Sequence, residues 1–526
     1  MAKGKTDNKE TRQVRSDIRK RSALNIIFGK STFLVLVILV EIGLFIFAMI
    51  KLFDYVSVFV VAFASFTAAM LIYLARTSSS PEVKLSWMAI VLLLPIIGAM
   101  IYIWVHTSPG CKMEKKKIDE IEAATSHFVY DDKEVREKFS GNGYTGTADY
   151  LKNAGKFPAF DKSDVKYFPS GEAYFESLKE ELEKAEKFIF LEFFIIKEGY
   201  MWETILDILK RKAAAGVEVR VLYDGSCAIL DLPYDYPKIL AQYGIKAMMY
   251  SRLRPFVSTT YNNRDHRKIV VVDGKVAFTG GSNLADEYIN LRHPFGQWKD
   301  ASVKISGSAV SGFTLMFLRM WDVEAPHSHY EYGRYISSPQ NEGAVGFVVP
   351  YGDMPLGEER LGEFVYTDII NRAEKYVYIM SPYLILDGEL LSAFSLAAKK
   401  GVDVRIILPH IPDKKYAFAL AKSHYKQLTS YGVKIYEYTP GFVHSKVFLS
   451  DDKHGVVGTV NLDYRSLYHH FECALYMNGT DSLKEIKTDF EETFKISMPV
   501  TEETIKNEKF GTRLRGKLLK IIAPLM

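Results

Sequence analysis

Apolar residues are distributed along the chain in two regimes. Up to about residue 105 they come in long unbroken runs; from about residue 166 they come as short runs and periodic stripes between polar segments. Phe33–Ile50 is almost wholly apolar, and as a helix it would extend about 27 Å, close to the thickness of a hydrocarbon core. Two further runs cover 55–75 and 87–105. None is a short apolar run ending in a small-residue cleavage site, so residues 33–105 read as a membrane region of three transmembrane anchors rather than a removed signal peptide. Glu41 inside the first run is expected to be neutral or paired and to face the other helices. Pro95 and Gly98 predict a kink in the third run, or a segment that re-enters.

Residues 1–32 form a basic, solvated arm, with contact to anionic lipid as a second role. Residues 106–165 read as a polar connector. Beyond it the spacing predicts a helix over Glu172–Lys187, a buried strand over Phe188–Ile196, and a helix over Met201–Ala215 stopped by Gly216. A strand at Val217–Tyr223, a helix near Tyr236–Tyr243 and a strand at Ile245–Tyr250 follow. Strand–helix alternation of this kind predicts an α/β fold with a largely parallel sheet and helices on both faces.

The pattern then repeats. Ala213–Leu222 (AAAGVEVRVL) is similar to Ala398–Ile407 (AKKGVDVRII), which places a first duplicated domain over 166–335 and a second over 340–500. His327 and His329 fall in a polar linker over 325–342, and with no carboxylate or Cys at ligand spacing they read as a solvated loop. Residues 501–526 close the chain. There Arg513, Arg515, Lys517 and Lys520 alternate with Leu514, Leu518, Ile521 and Ile522, a basic amphipathic segment suited to an anionic membrane surface or to packing on the domain.

Charge and cysteine content narrow the reading. A net charge of +4 over 526 residues is too slight for a protein living on duplex nucleic acid, so no nucleic-acid partner is expected. Three scattered cysteines form neither a disulfide framework nor a zinc spacing. Orientation is divided. The basic arm, Arg76 and Lys84 favour a cytoplasmic N-terminus, which puts residues after 105 outside if all three runs cross. Lys112, Lys115, Lys116 and Lys117 favour the opposite, and a re-entrant third run reconciles the two.

The candidate chemistry sits in one motif present twice. His266-Arg-Lys268 is followed by Asp273, Gly280-Gly281 and Asn283; His444-Ser-Lys446 is followed by Asp451, Gly458 and Asn461. Both read H-x-K-x4-D-x6-G-x2-N, and two copies in register are far more specific than one. Alternate residues of a strand share a face, so imidazole and ammonium are expected to project together. The glycines are expected to let backbone approach a ligand, and each Asn offers amide donors. Two facing motifs would cradle one phosphodiester. One histidine would attack phosphorus while the other moves protons on the leaving and entering hydroxyls. Asp300 and Glu472, each roughly thirty residues past its histidine, are the candidates for holding the imidazole tautomers.

At these residues the chain resembles the phospholipase D superfamily and, within it, the bacterial cardiolipin synthases. The likeness extends to Leu94-Pro-Ile-Ile-Gly98, Asn263-Arg-Asp-His266, Gly401–Pro409, Val433–Tyr438 and Asn461-Leu-Asp-Tyr-Arg-Ser466. It implies duplicated phospholipase D-type α/β/α sandwich domains forming one interfacial active site, preceded by N-terminal transmembrane helices. It further implies a multi-pass cell-membrane enzyme of bacterial type that condenses two phosphatidylglycerol molecules to cardiolipin and glycerol through a phosphatidyl-histidine, with no cofactor, no metal and no nucleotide. By the same resemblance His266 is the nucleophile and His444 the acid/base. Lys268, Lys446, Asn283 and Asn461 hold the phosphate, Asp300 and Glu472 orient the histidines, and Asp273 and Asp451 brace the catalytic motif. The alternatives are a hydrolase releasing phosphatidic acid, a transferase using another phospholipid donor, and a non-catalytic lipid-binding scaffold. The last is disfavoured because a decayed site would have lost one of these groups. A homo-oligomer is left open.

Overall fold

The computed structural model describes residues 39–47, 56–77, 79–106, 109–128, 133–140, 145–227, 231–251, 263–325, 330–337, 339–357 and 359–525. It forms two compact units, one essentially of residues 1–110 and one of residues 111–252 with 261–524. The basic arm, most of the first apolar run, and His327 and His329 lie outside the described residues.

In the first unit residues 39–47 are helical, the described part of the first run. Helix α1 (Val56–Arg76) has 21 residues, about 31 Å. Its Ser57–Arg76 stretch is the one helix among the described residues long and apolar enough to cross a membrane. The third run is interrupted at Pro95, where a kink or re-entry was expected. It is two helices, α2 (Pro81–Leu93, 13 residues) and α3 (Pro95–His106, 12 residues), each under about 20 Å and too short to cross. The cause is local: Pro95 has no N–H to donate, and a residue before proline avoids helical geometry, so Leu94 is extended at φ −136°, ψ 74°. The two helices fold back on one another. A Cβ on Gly98 would lie 3.0 Å from Val91 Cα, and the Trp87 ring stands 5.8 Å from that of His106. In a straight helix those two residues would be about 28 Å apart.

In the second unit, the stretch expected to be a polar connector carries helices at Pro109–Thr125, Lys133–Ser140 and Thr145–Gly155. Ile118 and Ile121 of the first of these are buried, so a sparse apolar stripe suffices to dock it. The following strands are β1 (Ser163–Phe168), β2 (Phe188–Phe193), β3 (Glu218–Asp224), β4 (Lys246–Tyr250), β5 (Arg264–Asp265), β6 (Lys268–Val272), β7 (Val276–Gly280), β8 (Gln297–Lys299) and β9 (Ser302–Gly307). The second series is β10 (Phe347–Asp353), β11 (Tyr376–Met380), β12 (Asp403–Pro409), β13 (Lys434–Tyr438), β14 (Gly441–Val443), β15 (Val447–Ser450), β16 (His454–Gly458), β17 (His470–Asn478) and β18 (Ser497–Pro499). The first sheet runs β1-β9-β7-β6-β2-β3-β4 and the second β10-β17-β16-β15-β11-β12-β13-β18. Apart from β18 at the edge, the two orders are the same, which is the duplication in three dimensions.

The sheets are mixed rather than largely parallel. Along these two strand orders only β2-β3-β4 and β11-β12-β13 are parallel, because helices such as Tyr200–Ala214 and Gly388–Lys399 carry the chain back between those strands. The motif strands are joined by tight turns, so β6-β7 and β15-β16 are antiparallel. Side chains alternate across each sheet. Ile189, Leu191, Val270 and Val272 face the outer core of the first half, while Phe190, Ile269 and Val271 face a core shared with Met380, Leu449 and Leu475 of the second. Helices Val310–Glu324 and Ser482–Lys495 contribute Phe317 and Phe490 to that shared core.

The two motif aspartates hold this frame. Asp273 accepts the backbone N–H groups of Glu186, Lys187 and Phe188, each at 2.8 Å. Asp451 accepts those of Glu374, Lys375 and Tyr376 at 2.7–2.9 Å. Removing either carboxylate would strand three donors at roughly 1–3 kcal/mol each if buried.

The hairpin makes a topological prediction. In a Cys111→Ser background, cysteines introduced as Ser80→Cys and His106→Cys should react with an impermeant maleimide from the same side of the membrane. Labelling from opposite sides would restore a single crossing helix.

Candidate active site

Two short parallel pairings join the halves. β5 lies beside the start of β17, with Arg264 opposite His470 and Asp265 opposite Phe471. β14 lies beside β8, with Phe442 opposite Trp298 and Val443 opposite Lys299. One residue further on, the His266 N–H donates to Phe471 O at 2.9 Å and the His444 N–H to Lys299 O at 2.7 Å. This register sets His266 against Glu472 and His444 against Asp300. His266 Nδ1 stands 2.9 and 3.0 Å from the two Glu472 oxygens, and His444 Nδ1 2.7 Å from Asp300 Oδ2.

The carboxylates are therefore exchanged. Spacing along the chain had assigned Asp300 to His266 and Glu472 to His444; each histidine is instead held by the other half. A distance in sequence carries no information about the register between two domains. The histidines also precede their strands rather than lying in them, since β6 begins at Lys268 and β15 at Val447.

The motif glycines, expected to let backbone approach a ligand, make room for the neighbouring strand at Gly280 and Gly458 and for a carboxylate at Gly281. A Cβ on Gly281 would fall 2.0 Å from Asp300 Oδ1. One on Gly458 would fall 2.4 Å from Ala474 Cβ and 2.5 Å from Cys473 O, on the strand that carries Glu472. Thr459 Oγ1 adds a hydrogen bond to Glu472.

Lys268 Nζ donates to His266 O at 2.6 Å, and Lys446 Nζ donates to His444 O. Asn283 accepts from Ile195 N at 3.0 Å and donates to Tyr288 Oη at 2.7 Å; Asn461 donates to Ser466 Oγ at 3.0 Å. Each amide retains one further N–H. The aspartates Asp273 and Asp451 are engaged with backbone, as described above, and hold the motif by its far end.

Burial dominates the electrostatics. It pushes His266 well below the usual imidazole range against the pull of Glu472, and His444 down to about 4 with Lys446 adding to the effect. Burial likewise takes Lys268 down to about 8 and Lys446 to about 7, the latter with help from the Lys268 charge. Glu472 and Asp300 lie below the carboxylate range despite burial, because each faces a histidine. Both imidazoles are thus neutral near pH 7. With Nδ1–H donated to a carboxylate, Nε2 carries the available lone pair.

Sequence reasoning missed His470. Its ring lies 5.5 Å from that of His266, and its Nδ1 is 3.7 Å from Glu472 Oε1. The available signal was position: residues 470 and 472 share a face of β17. His266, His470 and Glu472 offer ligand atoms within 4.8 Å of one another, as do Glu363, Asp387 and Glu389. In the latter group Arg360 already pairs with Glu363 and Glu389 at 2.8 and 3.1 Å.

Residues 178–317 and 366–494 match the family described as cardiolipin synthase, PLD-like domain. A cardiolipin synthase of Geobacillus sp. (strain WCH70) is 34% identical over 383 residues, covering 71% of this chain and 74% of that protein. The chain belongs to the cardiolipin synthase family of phospholipase D-like enzymes. Cardiolipin synthase 1 of Staphylococcus aureus (strain MRSA252) is 29% identical over 87% of this chain and 94% of its own. An uncharacterized protein of Streptococcus mutans serotype c is 50% identical over 86% of this chain and 99% of its own. Residues 65–105 match the phospholipase D-nuclease N-terminal family. The crystal structure of a phosphatidylserine synthase from Haemophilus influenzae Rd KW20 superposes with a TM-score of 0.55, over 72% of this chain and 97% of that one, at 16% identity, a likeness of fold.

The electrostatics predict the pH profile. If the lysines bind an anionic substrate while charged and His444 must gain a proton as that substrate arrives, kcat/KM should fall as pH rises, most steeply through about 7 to 8. The acid limb should lie well below 6.5, where His266 begins to protonate. A bound anion raises the lysine values, so the alkaline limb of kcat should lie higher than that of kcat/KM. A kcat/KM that is flat from pH 6.5 to 9 would contradict the assignment.

Proposed function

We propose that this family member is a membrane phosphatidyltransferase that condenses two phosphatidylglycerol molecules to cardiolipin and glycerol. The observation that carries the reading is the crossed pair of carboxylate-held histidines, two neutral imidazoles with free Nε2 atoms beside two lysines. His266 Nε2 attacks phosphorus, forming a P–N bond as the P–O bond to the glycerol headgroup breaks. His444 gives its proton to that leaving oxygen. The incoming phosphodiester anion is what raises His444 from its resting value so that it can carry the proton. His444 then takes the proton from the headgroup hydroxyl of a second phosphatidylglycerol, whose oxygen displaces His266 from phosphorus. Lys268, Lys446 and the remaining amide N–H groups of Asn283 and Asn461 stabilise the phosphoryl oxygens. Family likeness supports giving the nucleophilic role to His266, since the two half-sites are nearly equivalent in geometry.

The membrane disposition follows from charge. With 33–50 and 55–75 crossing and α2–α3 re-entrant, the basic arm, Arg76, Lys84 and the lysines at 112–117 all fall on the cytoplasmic side, together with the catalytic unit. The multi-pass anchor and this sidedness are part of the same reading.

Purified full-length enzyme in phosphatidylglycerol proteoliposomes should release glycerol and form a four-chain lipid. Phosphatidic acid as the sole product would identify a hydrolase, and turnover only with added phosphatidylethanolamine would identify another donor. His266→Asn and His444→Asn should each lose activity by a thousandfold or more, on the order expected for losing a nucleophile or a general acid. Acid-quenched labelled lipid should remain bound to the His444→Asn protein and not to the His266→Asn protein.

A further inference from the structure

The C-terminal helix Phe510–Ile522 is amphipathic in an unusual sense, with two apolar sides. One is packed. A Cβ on Gly516 would lie 2.3 Å from Ala419 O of the helix Lys415–Tyr431, and Leu519 and Ala523 join Leu420 and Tyr464 in one cluster. The other is open to solvent: Phe510 is 74% exposed, Leu518 58% and Ile521 53%, with Leu514 and Ile522 also exposed. At 100° per residue these five side chains fall within an arc of about 120°, roughly opposite Gly516, Leu519 and Ala523. Arg513, Lys517 and Lys520 border that arc on one side and Arg515 on the other, all exposed, and no acidic residue occurs after Glu508. The packed side of the helix meets Tyr464, three residues past Asn461, so the helix is held on the segment that carries that residue.

We propose that this face is a membrane-docking surface whose occupant is an anionic lipid bilayer, seated in the interfacial layer with its cations among the headgroups. An exposed apolar stripe of this size needs an occupant. The cationic borders select the anionic surface over a second copy, whose identical helix would bring like charges together. The inference rests on the phosphatidyltransferase reading and names the surface that presents substrate to the site.

The test uses the full chain in proteoliposomes of phosphatidylcholine with increasing phosphatidylglycerol. In Leu518→Cys protein labelled with an environment-sensitive fluorophore, emission should shift to the blue and be quenched by nitroxide lipid, more strongly as phosphatidylglycerol rises. The triple variant Leu514→Gln, Leu518→Gln, Ile521→Gln should raise the KM expressed as mole fraction of phosphatidylglycerol about tenfold. Its turnover of dissolved short-chain phosphatidylglycerol should stay within about twofold of the unaltered enzyme. A label that remains in water at every lipid composition overturns the proposal. So does cross-linking between copies through position 518 that persists on lipid dilution, and so does an unchanged KM in the triple variant. Absence of cardiolipin with a quenched label would sink the reaction assignment while leaving the docking surface standing.

A second inference comes from His470, which is 7% exposed with neither ring nitrogen in a hydrogen bond. Its Nδ1 lies 3.7 Å from Glu472 Oε1, too long for a hydrogen bond, so a buried polar ring between Phe194 and His266 is left to bond with what binds there. We infer that His470 donates a hydrogen bond to a phosphoryl oxygen of the phospholipid held at His266. His470→Phe and His470→Leu should each lower kcat/KM for phosphatidylglycerol about tenfold or more, and His470→Asn, which keeps a donor, should recover much of that loss. An apolar variant within twofold of the unaltered enzyme would overturn the inference, as would an Asn variant no better than the apolar pair.

Discussion

The site depends on one constraint, the register of two short parallel strand pairings between the halves. β5 beside β17 and β14 beside β8 fix which carboxylate each histidine meets. Because the carboxylates are exchanged, neither motif histidine finds its carboxylate in its own half. A half folded alone would leave Asp300 without an imidazole and Glu472 without its bond to His266, and removing the partner of a buried charge costs on the order of 3–5 kcal/mol. Assembly of the two halves and formation of the site are thus one event.

The surrounding structure serves that register. Asp273 and Asp451 occupy equivalent turns at φ 54° and 55° and tie the far end of each motif strand to the start of a neighbouring one. Gly281 and Gly458 remove the Cβ atoms that would hold the carboxylate-bearing segments away. The shared core, in which the Phe190 and Phe317 rings stack at 4.6 Å, gives the halves a common interior. Burial then does the electrostatic tuning. It keeps the imidazoles neutral and loosens the lysines from their protons.

The membrane unit follows a different logic. In α2–α3 a single proline decides that an apolar run of spanning length becomes a hairpin. Gly98 then permits the two short helices to touch.

Much of this was determined by the sequence alone. The duplication, the βαβ segments from Phe188 to Tyr250 and the two H-x-K motifs with their Asp, Gly and Asn partners are local patterns, and local patterns reflect backbone periodicity and turn chemistry. Asp300 and Glu472 were legible as candidates for the same reason. Their exchange between the halves was not, nor was the place of His470, because both depend on contacts between residues 144 to 206 positions apart. The antiparallel pairing of the motif strands and the helices in residues 109–155 also depended on what packs against them. The sequence by itself thus named the chemical groups; only the tertiary structure decided which group faces which, since register between distant strands is set by the joint packing of both halves and not by either segment.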